Sequence, residues 1–147
     1  MLGCTSWLVP GTWLTNARLA EGIVDYQELL VTSWDRGTRL ALEQELPELL
    51  SLNLHYSVHL PYPDTAEAWD VMQFFESSAF PVLNYVLHPG PGWRDFHWNE
   101  RVALENLKDI VEPYPRTVFD VGHHLLGQRV PDTYRTLPFA INERGDV

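Results

Sequence analysis

Strand-like and amphipathic helical segments take turns along this chain, and four apolar runs each stop on a metal-ligating side chain. Together they predict an α/β fold: a TIM-barrel-like β/α unit of about seven parallel strands, shortened, with its chemistry at the carboxyl ends of those strands. The runs are Tyr56–His59, Tyr85–His88, Val102–Glu105 and Thr117–Asp120. His, Asp and Glu make up 26 of 147 residues, so four successive strand ends landing on one by chance has odds of roughly 0.001, or nearer 0.01 with freedom in choosing the ends. Any one ending is ordinary; the set is not.

Leu2 to Val9 reads as the first strand. Thr12 suits an N-cap for a helix with Trp13, Leu14, Ala17 and Ala20 on one face, and Gly22 suits the left-handed residue that ends it. Tyr26 to Thr32 is the second strand. Leu42, Leu46, Leu49 and Leu50 then recur at helical spacing, with Pro47 a point where that helix could divide. Leu54 to His59 is the third strand. Asp64 with Glu67 predicts a capping box, followed by an apolar stripe of Ala68, Val71, Met72, Phe75 and Ala79. Val82 to His88, Arg101 to Glu105, Thr117 to Val121 and Leu137 to Asn142 read as strands four to seven.

Alternation places the ligands. His55, Ser57 and His59 share one face of strand three while Tyr56 and Val58 share the other; in strand four Asn84, Val86 and His88 oppose Tyr85 and Leu87. The bulky apolar set should face the helices, leaving His59, His88, Glu105 and Asp120 to converge on the barrel axis. His55 lies at the entering end of its strand and reads as structural, and His124 as an outward neighbour.

Spacing departs from a full barrel, in which each unit takes about 31 residues. Glu28 to His59 spans 31 and His59 to His88 spans 29, but His88 to Glu105 spans 17 and Glu105 to Asp120 only 15. A parallel crossover needs about a dozen residues. The helices after strands four and five should therefore shrink to a turn or a loop, leaving Val102 with Leu104 and Phe119 with Val121 little covered. With Val147 close behind strand seven, the expectation is one domain, residues 1–147, forming a shortened or C-terminally incomplete barrel without an eighth strand. Self-association, or a missing C-terminal segment, is the physical remedy for its open edges.

Composition narrows function. The formal charge of −10 and the lack of a basic run argue against nucleic acid as a partner. Cys4 is the single cysteine, so a disulfide framework or a cysteine zinc site within one chain is excluded, and a reducing cytoplasm fits. Met1-Leu2-Gly3-Cys4 is like the end of a lipoprotein signal without its hydrophobic region. With no basic leader, an opening apolar stretch cut by Pro10 and no run of 18 apolar residues, neither a signal peptide nor a membrane span is expected. A small-molecule substrate remains.

Two imidazoles with one or two carboxylates and no thiolate suit Zn, Mn, Fe or Co, and three protein ligands leave a position open for water or substrate. The competing reading is polar packing inside the barrel, which would leave several ionisable groups repelling or unpaired without a cation. Glu28 reads equally as a carboxylate orienting an imidazole or as a partner for Arg101 in the barrel interior. Trp7, Trp34, Tyr62, Trp93, His97 and Trp98 lie at or just after strand ends. They could wall a pocket for a large flat ligand, or fill gaps left by missing helices. Gly90-Pro91-Gly92 reads as a turn rather than a phosphate loop.

His59-Leu-Pro-Tyr62, His88-Pro-Gly90, Glu105-Asn-Leu107 and Asp120-Val-Gly-His123, in that order, resemble the xylose-isomerase-like barrel superfamily, which includes endonuclease IV and the sugar-phosphate isomerases and epimerases. Gly3-Cys-Thr-Ser6, Val24-Asp-Tyr-Gln-Glu28-Leu, Tyr56-Ser-Val-His-Leu-Pro61 and Asp120-Val-Gly-His-His-Leu-Leu126 look most like its cobamide-remodelling phosphodiesterases. The resemblance implies that His59, His88 and Glu105 hold a first metal, that Glu105 bridges to a second ion bound by Asp120, and that His123 binds a third. The pattern then departs. The family's strand-seven histidine falls near Ala140, its later Asp-x-His is absent, and its strand-eight glutamate lies beyond Val147. The implied activity is hydrolysis of a small-molecule phosphodiester, with Glu105 and Asp120 at the catalytic centre. A metal-dependent sugar or sugar-phosphate isomerase or epimerase, and an inactive metal-binding barrel, are the alternatives.

Overall fold

A computed structural model describes residues 1–96, 99–106, 114–120 and 139–141. Strands β1 (Gly3–Thr5), β2 (Tyr26–Leu30), β3 (His55–His59), β4 (Val82–Leu87), β5 (Val102–Glu105) and β6 (Thr117–Phe119) alternate with helices α1 (Trp13–Ala20), α2 (Arg36–Leu49) and α3 (Thr65–Ser78). Each strand pairs in parallel with its sequence neighbour. The backbone of Phe139–Ile141 is in parallel register beside β6. Sequential order with crossovers of one hand puts every helix on the same side, and the sheet curls into a half-barrel.

Burial separates the two faces of the sheet. Leu29, Tyr56, Val58, Tyr85, Leu87, Val102 and Leu104 share one buried cluster with Leu42, Leu46 and Leu49 of α2 and Ala68, Val71, Met72 and Phe75 of α3. Val86, Ala103 and Val118, the residues between, make a separate small cluster on the concave face. The concave floor is closed partly by Tyr26. Its ring lies so close over Gly3 that a Cβ there would overlap it, so any other residue would require the ring to move.

α1 and α3 begin where expected. The hydroxyl of Thr12 accepts from Thr15 N–H and the carboxylate of Asp64 from Ala66 and Glu67 N–H, and Gly22 has φ +76°. Three local expectations need correction. β1 stops at Thr5: the Ser6 hydroxyl, in place of a backbone carbonyl, accepts from Leu30 N–H at 2.9 Å, and further on the buried Asn16 side chain accepts from Val9 N–H at 2.9 Å and donates to Val9 and Thr12 carbonyls at 3.2 and 2.9 Å. α2 runs unbroken through Pro47, which sits in its last turn where the ring removes only one hydrogen bond. The carboxylate of Glu67 reaches across to accept from Trp34 N–H at 3.3 Å, tying α3 to the β2–α2 loop.

The short crossover after β4 is a 3-10 turn, Trp93–Phe96. Trp93, Phe96 and Tyr114 enter the cluster that buries Val102 and Leu104, and Trp69 of α3 stacks on Phe96 at 4.7 Å. These two strand residues are therefore covered, contrary to the expectation from spacing: three aromatic rings fill the volume a helix would have taken. Val121, and residues 107–113 of the crossover leaving β5, lie outside the described residues. Among the described residues no helix is long and apolar enough to cross a membrane.

Candidate metal centre

Three strand ends bring their polar side chains to one point on the concave face. His59 ends β3, His88 follows β4 directly and Glu105 ends β5. The Nε2 atoms of His59 and His88 approach the same Glu105 oxygen, at 3.1 and 2.8 Å. The two imidazole rings meet edge to face with centroids 4.7 Å apart. One ligand atom from each residue lies within 4.8 Å of the others. Beneath them Val86 and Ala103, each two residues earlier on its strand, fill the interior with small apolar side chains. The strand period of two thus carries each chain from a packed layer to a ligand layer.

The electrostatics follow from this packing. Burial opposes ionisation of Glu105, but the hydrogen bonds and charges of His59 and His88 outweigh it and hold the carboxyl far below its usual range. Burial also works against the charged form of His59; hydrogen bonding to Glu105, the charges of Glu28 and Glu105, and the Leu60 carbonyl reverse that and raise its pKa. The Nδ1 of His59 lies 3.2 Å from the Leu60 carbonyl, which directs its proton there and aims Nε2 at the shared point.

The donor set fits a small divalent cation. Ligand atoms about 2.0–2.2 Å from a tetrahedral metal lie about 3.3 Å from one another. The separations from the carboxylate oxygen would widen by a few tenths of an ångström to match, and the third separation, within 4.8 Å, would have to settle to the same length. One negative charge and two neutral imidazoles suit Zn, Mn, Fe or Co.

The other candidates are placed as follows. Asp120 follows β6 and is half-buried; its carboxylate stands outside the three-residue group. Asn106, buried beside Glu105, accepts from Asp120 N–H and donates to the Asp120 carbonyl at 3.1 Å. His123, His124, His97 and Trp98 lie outside the described residues. Glu28 is buried on β2, where its charge acts on His59. Arg101 is turned the other way, its guanidinium on Glu76 of α3 and over the Tyr85 ring. Those contacts lie on the helix side of the sheet, so Arg101 does not reach in to the barrel axis as one reading of Glu28 required. Tyr62 remains 47% exposed with its ring edge-on to His88 at 5.4 Å, which keeps it at the rim of the centre. Trp93 is a core residue packed on Tyr114, and Trp34 packs edge-on against Phe74 of α3; for both, gap-filling describes the contacts better than pocket lining. His55 is exposed at the amino end of β3, by a cleft of about 460 Å³ shared with Asp25 and Asn53 and away from the three ligands.

Sequence reasoning did not find the double hydrogen bond of Asn106. Its signal was the asparagine directly after Glu105, which says nothing of which backbone it meets until β5 and β6 are paired. Set against known proteins, the chain matches no family model, no curated protein and no solved structure.

Proposed function

We propose that this chain is a divalent-metal-dependent hydrolase of a small-molecule phosphodiester, built on a shortened, seven-strand barrel of the xylose-isomerase-like kind and most similar in its motifs to the cobamide-remodelling phosphodiesterases. The observation that carries the proposal is the convergence of His59, His88 and Glu105 within 4.8 Å at successive strand ends. His59 and His88 would hold the cation through Nε2, with Glu105 completing the set and Asp120 one strand further along serving a second cation. When bound, such a cation polarises a phosphoryl oxygen and lowers the pKa of water held beside it.

The chain's own residues supply the rest. Glu105 stays ionised at neutral pH and, with Glu28, balances the two positive charges of the cation. Leu60 fixes the ring of His59 so that no reorientation is needed when substrate arrives. Tyr62, half-exposed against His88, borders the open side where a substrate would lie. The formal charge of −10 works against long polyanions while leaving a small diester acceptable. A second reading, isomerisation or epimerisation of a sugar phosphate, draws on Glu28, a second buried carboxylate near His59 that could move a proton.

The test is a metal-supplemented assay at low salt with a generic aryl phosphodiester, an abasic DNA duplex and a panel of aldose and ketose phosphates side by side. The proposal expects metal-dependent turnover of the diester, abolished by a chelator. Faster cleavage of the abasic duplex, or turnover of the sugar phosphates alone, would overturn it.

A further inference from the structure

The ladder between β5 and β6 runs through Leu104 N–H to the Arg116 carbonyl at 3.0 Å and Asn106 N–H to the Val118 carbonyl at 3.2 Å. β6 then ends at Phe119, and the next residue of that strand is met by a side chain: the carboxamide of Asn106 takes both backbone groups of Asp120, accepting from its N–H and donating to its carbonyl at 3.1 Å. A carboxamide carries a donor and an acceptor on one planar group, as a peptide does, so it can pair with the backbone on both counts. Aspartate offers only acceptors and leucine neither. Asn106 is 5% exposed, so these bonds are shielded from competing water.

What this holds in place is the spacing of two carboxylates. Glu105 stands opposite Val118 in the parallel register, so Asp120 lies one same-face step further along the neighbouring strand. With strands about 4.8 Å apart and a rise of about 3.3 Å per residue, the two backbones are about 8 Å apart. Side chains reaching inward from such positions can serve cations about 3.5–4 Å apart, the separation of two-metal sites.

We propose that Asn106 is a positioning residue, one that clamps the backbone of Asp120 so that its carboxylate sits at the working distance from Glu105. This rests on the reading of Asp120 as the ligand of a second cation. Without the clamp Asp120 loses both backbone bonds that Asn106 makes to it, and the second position should loosen while the first, built on β3, β4 and Glu105, stays intact.

The test is titration of the metal-free protein with Mn²⁺, followed by electron paramagnetic resonance. In the wild type the first equivalent gives a mononuclear signal and the second a spin-coupled pair. Asn106→Ala should bind the first equivalent as the wild type does, bind the second about 10- to 100-fold more weakly, as loss of a supporting residue typically does, and lack the coupled signal. Asn106→Asp, which keeps the acceptor and loses the donor, should fall between and serves if the alanine variant does not fold. Wild-type behaviour of both variants, with Asp120→Asn losing the second equivalent, overturns the role of Asn106 while leaving the metal reading standing. Parallel weakening of both equivalents, following the melting temperature, makes Asn106 merely structural and also overturns it. Failure of the wild type to take up a second equivalent removes the metal reading of Asp120 and the clamp's function with it.

Discussion

Glu105 is charged in a place where burial resists charge, and two imidazoles keep it so. In metal-free protein the same contacts stabilise protonated His59, whose pKa lies above the usual 6.5. A raised folded-state pKa contributes stability that is complete below the unfolded value and disappears as pH climbs through the folded one. Glu105 is the reverse case: its contribution holds above the usual 4.5 and is lost only as pH falls through its lower folded value. Thermal melts in chelator should therefore show stability declining on the alkaline side of pH 6.5, and His59→Gln should remove that decline. An alkaline limb identical in the variant would contradict the assignment. The convergence of His59, His88 and Glu105 was legible in the sequence because strand alternation and strand-end position are local properties. The pairing of Arg101 with Glu76 was not, and the gap-filling place of Trp93 was legible only as one of two alternatives, since each depends on a partner from an element distant in sequence.

At the scale of elements, caps and apolar stripes predicted all three helices, but the ends of strands were set by competition for hydrogen bonds. The first strand reads as running to Val9 on its apolar residues; the Ser6 hydroxyl ends it sooner by taking Leu30 N–H, and Asn16 takes both backbone groups of Val9 beyond it. Replacing Asn16 with alanine would break these two part-buried hydrogen bonds, each contributing about 0.5–1.5 kcal/mol net, for a total of about 1–3 kcal/mol. Urea unfolding should show Asn16→Ala less stable by about that amount with an unchanged slope. A variant as stable as the wild type would mean that the loop from Trp7 to Gly11 is held by something else. The continuity of α2 through Pro47 was illegible for a similar reason. Proline's local cost is readable from sequence, but the tertiary burial of Leu46 and Leu49 around it is not.

Over the whole molecule, the order of the parallel strands and the concave polar face follow from alternation and chain order, both visible in the sequence. Among the described residues β1 pairs on one side only, and Met1, Leu2, Trp7, Leu8 and Val9 flank it with exposed apolar surface. An unpaired edge with an apolar border favours association. Sedimentation should show mass rising with concentration in the micromolar range, and Trp7→Glu with Leu8→Lys should reduce it; a compact monomer at every concentration, with no binding of an apolar dye, would show that the edge is protected. The central claim is that the half-barrel gathers His59, His88 and Glu105 to hold a divalent metal. Elemental analysis of wild type and His59→Ala/His88→Ala protein, purified alike and titrated under matched conditions, tests it most directly. The account predicts about one tightly held transition metal per wild-type chain, and its loss from the double variant by more than the 10- to 100-fold typical of removing a supporting residue. No more than trace metal in either protein, or equal metal in both, would contradict it.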